Sequence, residues 1–221
     1  MSQRSQGGPA GSALVPVRCR QTNPKEERSD AEQSWYIPEY ASPRVGGVAQ
    51  GADYNKALDV NPQWAEVYTR RGGIYAASGQ YAPAVTDFTR ALEVNPLLVE
   101  AYTKRCMAYS HMDQQTQALA DCARALALDP RSEDAFHARA LAYARTGQYA
   151  QALTDTIQVL KLNPWFFQGY YTQALLYEQI GRRQEAVEAY KRFLQTVPSP
   201  ASPQYAGEIQ QARQRVRDLG H

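Results

Sequence analysis

No stretch of this 221-residue chain approaches the roughly 18 to 20 consecutive apolar residues needed to cross a bilayer, so membrane insertion is not expected. The apolar patch at residues 13–17 is broken by Pro16 and is too short for a secretory core, and Arg18 before Cys19 disfavours a lipoprotein cleavage site. Charge of either sign is not in surplus: 24 Lys and Arg stand against 22 Asp and Glu, interspersed, for a formal net charge of +2. That leaves no basic field of the kind that binds nucleic acid. Only three cysteines are present and no CxxC pair, which disfavours structural zinc and a disulfide framework and points to a reducing, cytoplasmic setting. The three histidines, His111, His137 and His221, lack a third ligand at useful spacing, so no metal site is expected. Nucleotide loops, nucleophile elbows and metalloprotease signatures are missing too, and Gly72-Gly73 comes without the lysine of a phosphate loop. No catalytic residue and no cofactor follow, and an enzyme is not expected.

What the chain does have is a period. Tyr68, Gly72, Tyr75, Gly79, Tyr81, Ala84, Phe88, Ala91 and Pro96 return 34 places later as Tyr102, Cys106, Tyr109, Asp113, Gln115, Ala118, Cys122, Ala125 and Pro130. They return again as Phe136, Ala140, Tyr143, Gly147, Tyr149, Ala152, Thr156, Val159 and Pro164. A fourth copy gives Tyr170, Ala174, Tyr177, Gly181, Arg183, Ala186, Tyr190, Phe193 and Pro198. Within a unit the first three places and the later Ala, aromatic and Ala fall at helical spacing, which predicts two amphipathic helices facing each other. Gly79, Gly147 and Gly181 suit the left-handed turn that ends the first helix; Asp113 departs, and a less relaxed turn is expected there. The prolines separate one unit from the next.

The period divides the chain. Residues 1–33, rich in Ser, Gln, Gly, Arg and Pro, read as a disordered leader. Residues 34–51 hold Trp35, Tyr36, Ile37 and Tyr40 among Pro38, Pro43, Gly46 and Gly47, which predicts an irregular cap over the first helix or, alternatively, a linear motif that docks into a groove, of another copy for instance. Residues 52–64 carry the tail of the unit as a half-repeat helix. Four full repeats follow over 65–198, by period 65–98, 99–132, 133–166 and 167–200. Tyr205, Ile209, Ala212, Val216 and Leu219 then mark a helix over 203–219, read as a cap whose other face is polar; pairing with a partner's helix is the alternative.

These residues resemble the tetratricopeptide repeat (TPR) family, with its aromatic, small residue and Tyr in the first helix and Ala, aromatic, Ala and Pro in the second. The resemblance implies an all-α fold, a right-handed superhelix (α-solenoid) of antiparallel helix pairs whose first helices line a concave groove. Gly72, Cys106, Ala140 and Ala174 would leave room for the second helix of their own unit. Cys106 and Cys122 hold facing places; buried, reduced packing is expected, since a disulfide would fit only an oxidising compartment. Arg71, Arg105 and Arg139 repeat in the first helices, and Asp87, Asp121 and Asp155 sixteen residues on in the second, where each pair can fork together. Solvated charge on two outer faces is the alternative. Pairing is preferred because the fourth unit loses both members at once, as Gln173 and Ala189.

By analogy with the family, the groove residues are Glu66, Thr69, Arg70 and Gly73 in the first unit and Glu100, Thr103, Lys104, Met107 and His111 in the second. The third offers Asp134, His137, Leu141 and Arg145, and the fourth Gln168, Tyr171, Thr172, Leu175 and Glu178. Mixed charge with apolar footing at Met107, Leu141, Tyr171 and Leu175 suits an extended peptide or a helix of a protein partner. The carboxylate clamp by which some of the family hold chaperone tails is not made: one register offers Thr69, Gly73, Lys104, Asp134 and Ala138, the next Thr103, Met107, Ala138, Gln168 and Thr172. The expectation is a non-enzymatic scaffold or adaptor. An assembly or co-chaperone-like factor that shields clients and an accessory region of an enzyme or signalling complex encoded elsewhere are the alternatives; a homo-oligomer is compatible but not predicted.

Overall fold

A computed structural model describes residues 47–198 and 205–220. The expected 1–33 leader, and residues 34–46 of the expected cap, lie outside the described residues. Among those described there are ten helices: α1 (Gly47–Val60), α2 (Ala65–Ala77), α3 (Tyr81–Val94), α4 (Val99–His111), α5 (Gln115–Leu128), α6 (Glu133–Arg145), α7 (Tyr149–Leu162), α8 (Phe167–Gln179), α9 (Arg183–Thr196) and α10 (Ala206–Leu219). Helices α2/α3, α4/α5, α6/α7 and α8/α9 form antiparallel pairs, and each pair packs on the next. The result is an α-solenoid. Its first helix, α1, begins at Gly47, upstream of the place where the period puts the half-repeat. Glycine weakens a helix by about 1 kcal/mol but does not block one as proline does, so Gly47 and Gly51 are accommodated.

Each pair closes on one contact. A Cβ added at Gly72 would lie 2.7 Å from Cε1 of Phe88, so only glycine fits opposite that ring. The same two places hold Ala140 with Thr156 and Ala174 with Tyr190, a small residue facing a larger one, and all four are fully buried. In the second unit both places are cysteine. Their Cα atoms are 5.6 Å apart and they are joined as a disulfide, Cys106–Cys122, which corrects the expectation of reduced thiols. The two places face each other as expected, and the close approach of the helices brings the sulfurs within bonding distance.

The turns are local chemistry. After each first helix the chain enters the left-handed region, at Gly79 (φ 77°), Asp113 (φ 57°), Gly147 (φ 73°) and Gly181 (φ 76°). The next amide reaches back five residues in every case: Gln80 to Tyr75, Gln114 to Tyr109, Gln148 to Tyr143 and Arg182 to Tyr177, at 2.8–3.0 Å. Between units, the residue before Pro62, Pro96, Pro130 and Pro164 turns its side chain onto the amide after the proline. Oδ1 of Asn61, Asn95, Asp129 and Asn163 accepts from Gln63, Leu97, Arg131 and Trp165 at 2.9–3.1 Å. At the far end α10 caps the array, burying Ala212, with Ile209 and Val216 beside it, against Tyr190 and Phe193.

Two outcomes follow from this packing. Asp113→Gly should raise stability to denaturant by about 0.5 to 1 kcal/mol, because relief of the left-handed strain exceeds the loss of an exposed ion pair with Arg145; an unchanged or lowered midpoint would contradict it. Denatured without reductant, the chain should show one titratable thiol, Cys19, and three after reduction, and reduction should lower stability by about 3 kcal/mol for a loop of this length.

Candidate partner-binding groove

The first helices α2, α4, α6 and α8 stand side by side and form one wall, while the second helices stand behind them. Three forks hold the first helices in place. Arg71 donates from Nε and Nη2 to Asp87 at 2.8 and 2.6 Å, Arg105 to Asp121 at 2.6 and 2.8 Å, and Arg139 to Asp155 at 2.7 and 2.7 Å. The three carboxylates are buried. The guanidiniums lie over aromatic rings of their own helices: Tyr68 for Arg71, Tyr102 and Tyr109 for Arg105, Phe136 and Tyr143 for Arg139. Hydrogen bonding to Asp87, Asp121 and Asp155 pushes each arginine further above its ordinary pKa, against the pull of burial. Two forks also tie neighbouring units together, since Arg71 Nη1 donates to Asn55 and Arg105 Nη1 to Thr89. Ala123 holds the equivalent place before Arg139 and has no oxygen to offer.

In the fourth unit a different network stands where the fork is lost. Tyr190 donates to Glu178 at 2.6 Å, and Arg215 of α10 pairs with the other oxygen of Glu178 at 2.9 Å. Tyr171 donates to Gln211 of α10 and packs edge-on against Tyr190 and tilted against Phe193. Leu175 joins the same apolar cluster. Tyr171, Leu175 and Glu178 therefore serve the contact with the cap: Tyr171, placed by the sequence among the apolar footing of the groove, is met there by side chains of α10.

The threonines also turn inward. Thr69, Thr103 and Thr172 are buried; Thr69 donates to Ala65 O, Thr103 to Val99 O, and Thr172 shares a 3.0 Å hydrogen bond with His137 Nε2. Glu66 and Arg70 remain exposed on α2. The other groove residues converge on two cavities. Glu100, Thr103, Lys104, Met107, Asp134, His137 and Gln168 line one of about 620 Å³, within the range of ligand-binding clefts. Met107 also borders a second of about 320 Å³, with His111, Leu141 and Arg145. Sequence reading missed Val99, Ser132, Phe166 and Tyr205 on the larger cavity. Ser132 and Phe166 stand at the N-caps of α6 and α8, and the signal was their place directly ahead of a first helix.

The electrostatics of the wall are uneven. Burial pulls His137 down to about 4, so it is neutral at physiological pH, beside the edge of Phe166. His111, stacked flat on Tyr81 at 4.5 Å, is also lowered, by burial and then by Arg145. Burial raises Asp134, and the charges of Glu133 and Glu100 raise it further against the opposing effect of Lys104.

Comparison with known proteins bears on the whole array. The profile of a bacterial transcriptional activator domain matches residues 71–162, and that of a tetratricopeptide repeat matches residues 168–199. No curated protein matches the chain. Among solved structures, it is similar to TTC0263, a thermophilic TPR protein of Thermus thermophilus, at 21% identity over 88% of this chain and 97% of that one, with a TM-score of 0.65. It is similar to MamA at 23% identity over 77% and 92%, TM-score 0.57, and to YrrB, a TPR protein with an unusual peptide-binding site, at 20% over 76% and 84%, TM-score 0.54. At such identities the likeness is one of fold.

Removing one member of a fork tests how much the wall depends on it. Asp121→Ala should cost about 3 kcal/mol, because it strands the guanidinium of Arg105 among aromatic rings. A change within error in chemical denaturation would show that the fork is dispensable.

Proposed function

The chain belongs to the tetratricopeptide repeat family, and we propose that it is a non-enzymatic interaction scaffold, an adaptor that holds a peptide or helix of a partner protein against the concave wall of its first helices. The observation that carries this reading is the 620 Å³ cavity, lined by residues from three successive units. Its polar lining, such as Glu100, Lys104, Asp134 and Gln168, differs from unit to unit, whereas the residues that hold the helices together recur. A wall of preformed helices loses little freedom on binding, so contact energy is not spent on ordering the scaffold. The peptide-binding site of YrrB, on the same fold, agrees with such a use.

The partner is a protein segment, with no nucleic acid and no membrane insertion involved. Chaperone tails are not expected, because Lys104 has no asparagine or second basic residue at the neighbouring clamp places. No helix among the described residues is long and apolar enough to cross a membrane. The compartment turns on the Cys106–Cys122 pair: the cytoplasmic placement belongs to the reduced thiols, and the disulfide belongs to an oxidising compartment.

Met107 borders both cavities, and Trp165 is exposed and lines neither. Met107→Glu should abolish capture of a stoichiometric partner while Trp165→Ala leaves it intact, with both variants melting as the parent does. A partner retained by Met107→Glu would rule the groove out. Suppression of aggregation of many unrelated clients, unaffected by Met107→Glu, would favour a shielding role instead.

A further inference from the structure

The larger cavity has a charge that its own residues do not balance, and we propose that its occupant is an extended peptide carrying a basic side chain, Arg or Lys, next to a large apolar one. The inference rests on the scaffold reading above and adds the chemistry of the partner. Its apolar half is Met107, 37% exposed, with Phe166 and Tyr205 on the same lining. Its polar half is Glu100 and Asp134, in the first turns of α4 and α6.

Two carboxylates there face one ammonium, that of Lys104, which already pairs with Glu100 at 3.4 Å. No lysine or arginine among the described residues forms an ion pair with Asp134. His137, also on the lining, is neutral at physiological pH and adds no compensating charge. Burial first, then Glu133 and Glu100, raise the carboxyl of Asp134, and Lys104 offsets only part of this; an arriving cation would reverse the shift. Compensation of the helix dipole accounts for one acid in a first turn, as Glu66 does on α2. On α6 there are two, Glu133 and Asp134, and the second lines the cavity. A guanidinium or ammonium paired with Asp134 leaves the neighbouring side chain of an extended peptide for the apolar part of the same lining, Met107 with Phe166 and Tyr205.

Short random peptides displayed on phage and selected on the full chain test this. The expected outcome is enrichment of peptides that join a basic to a large apolar residue, with affinity falling about tenfold on Glu100→Ala with Asp134→Ala and falling as salt is raised. Peptides lost on Met107→Glu but acidic or indifferent in charge would overturn the partner chemistry and leave the groove standing. Peptides retained by Met107→Glu would overturn the groove itself, and no enrichment over the bare support would overturn both. Thermal melts of each variant separate loss of binding from loss of fold.

Discussion

Helices of 13 and 14 residues are marginal in water by themselves, so every unit of this array depends on the contact between its own first and second helix. That contact has two adjoining parts. The steric part is Gly72 against Phe88, the disulfide of Cys106 with Cys122, Ala140 against Thr156, and Ala174 against Tyr190, pairs that differ in chemistry and share one geometry. The polar part lies one residue earlier on each helix: Arg71 with Asp87, Arg105 with Asp121, Arg139 with Asp155. Close approach excludes water from the fork, and the fork fixes the rotation at which close approach occurs. Neither part alone determines the crossing, because apolar surfaces slide and a single ion pair tolerates many angles.

The last pair shows what the fork contributes. With Gln173 and Ala189 in its place, α8 and α9 are held by Tyr190 donating to Glu178, and Glu178 in turn by Arg215 from α10. An open end of a solenoid has no following unit to cover it. Here the polar interaction reaches forward to the capping helix, so the fourth unit and the cap form a single closing structure. Burial and the hydrogen bond to Glu178 push the Tyr190 hydroxyl well above its ordinary pKa, so it keeps its proton and remains a donor.

Much of this was legible in the sequence because a 34-residue period constrains every copy at once. The helix pairs, the left-handed turn at Asp113 and the juxtaposition of arginine with aspartate all follow from spacing. Four features were not legible, each for a physical reason. The aspartate and asparagine side chains before the prolines bond only over two residues, and no periodicity reports such a turn. The inward threonines look polar, but a hydroxyl that bonds its own helix four residues back is free to face the core. The disulfide depends on a Cα separation that cysteine counts do not carry. Tyr171 occupies a groove place in the period, and only the path of α10 decides that the place is covered.

That covering sets the length of the available groove. Family spacing gives four units an equal claim on a ligand, but α10 takes Tyr171 through Gln211 and Glu178 through Arg215, and Tyr205 takes Gln168. What remains open is the wall of α2, α4 and α6, closed at one end by Phe166 and Tyr205. Within it the larger cavity is lined from both α4 and α6, the two helices that the forks of Arg105 and Arg139 hold from behind. A substitution at either fork therefore acts on recognition through the spacing of two helices, without touching a ligand. Recognition and stability share the same few residues in this stretch, and the freedom to vary is confined to the side chains that point away from them.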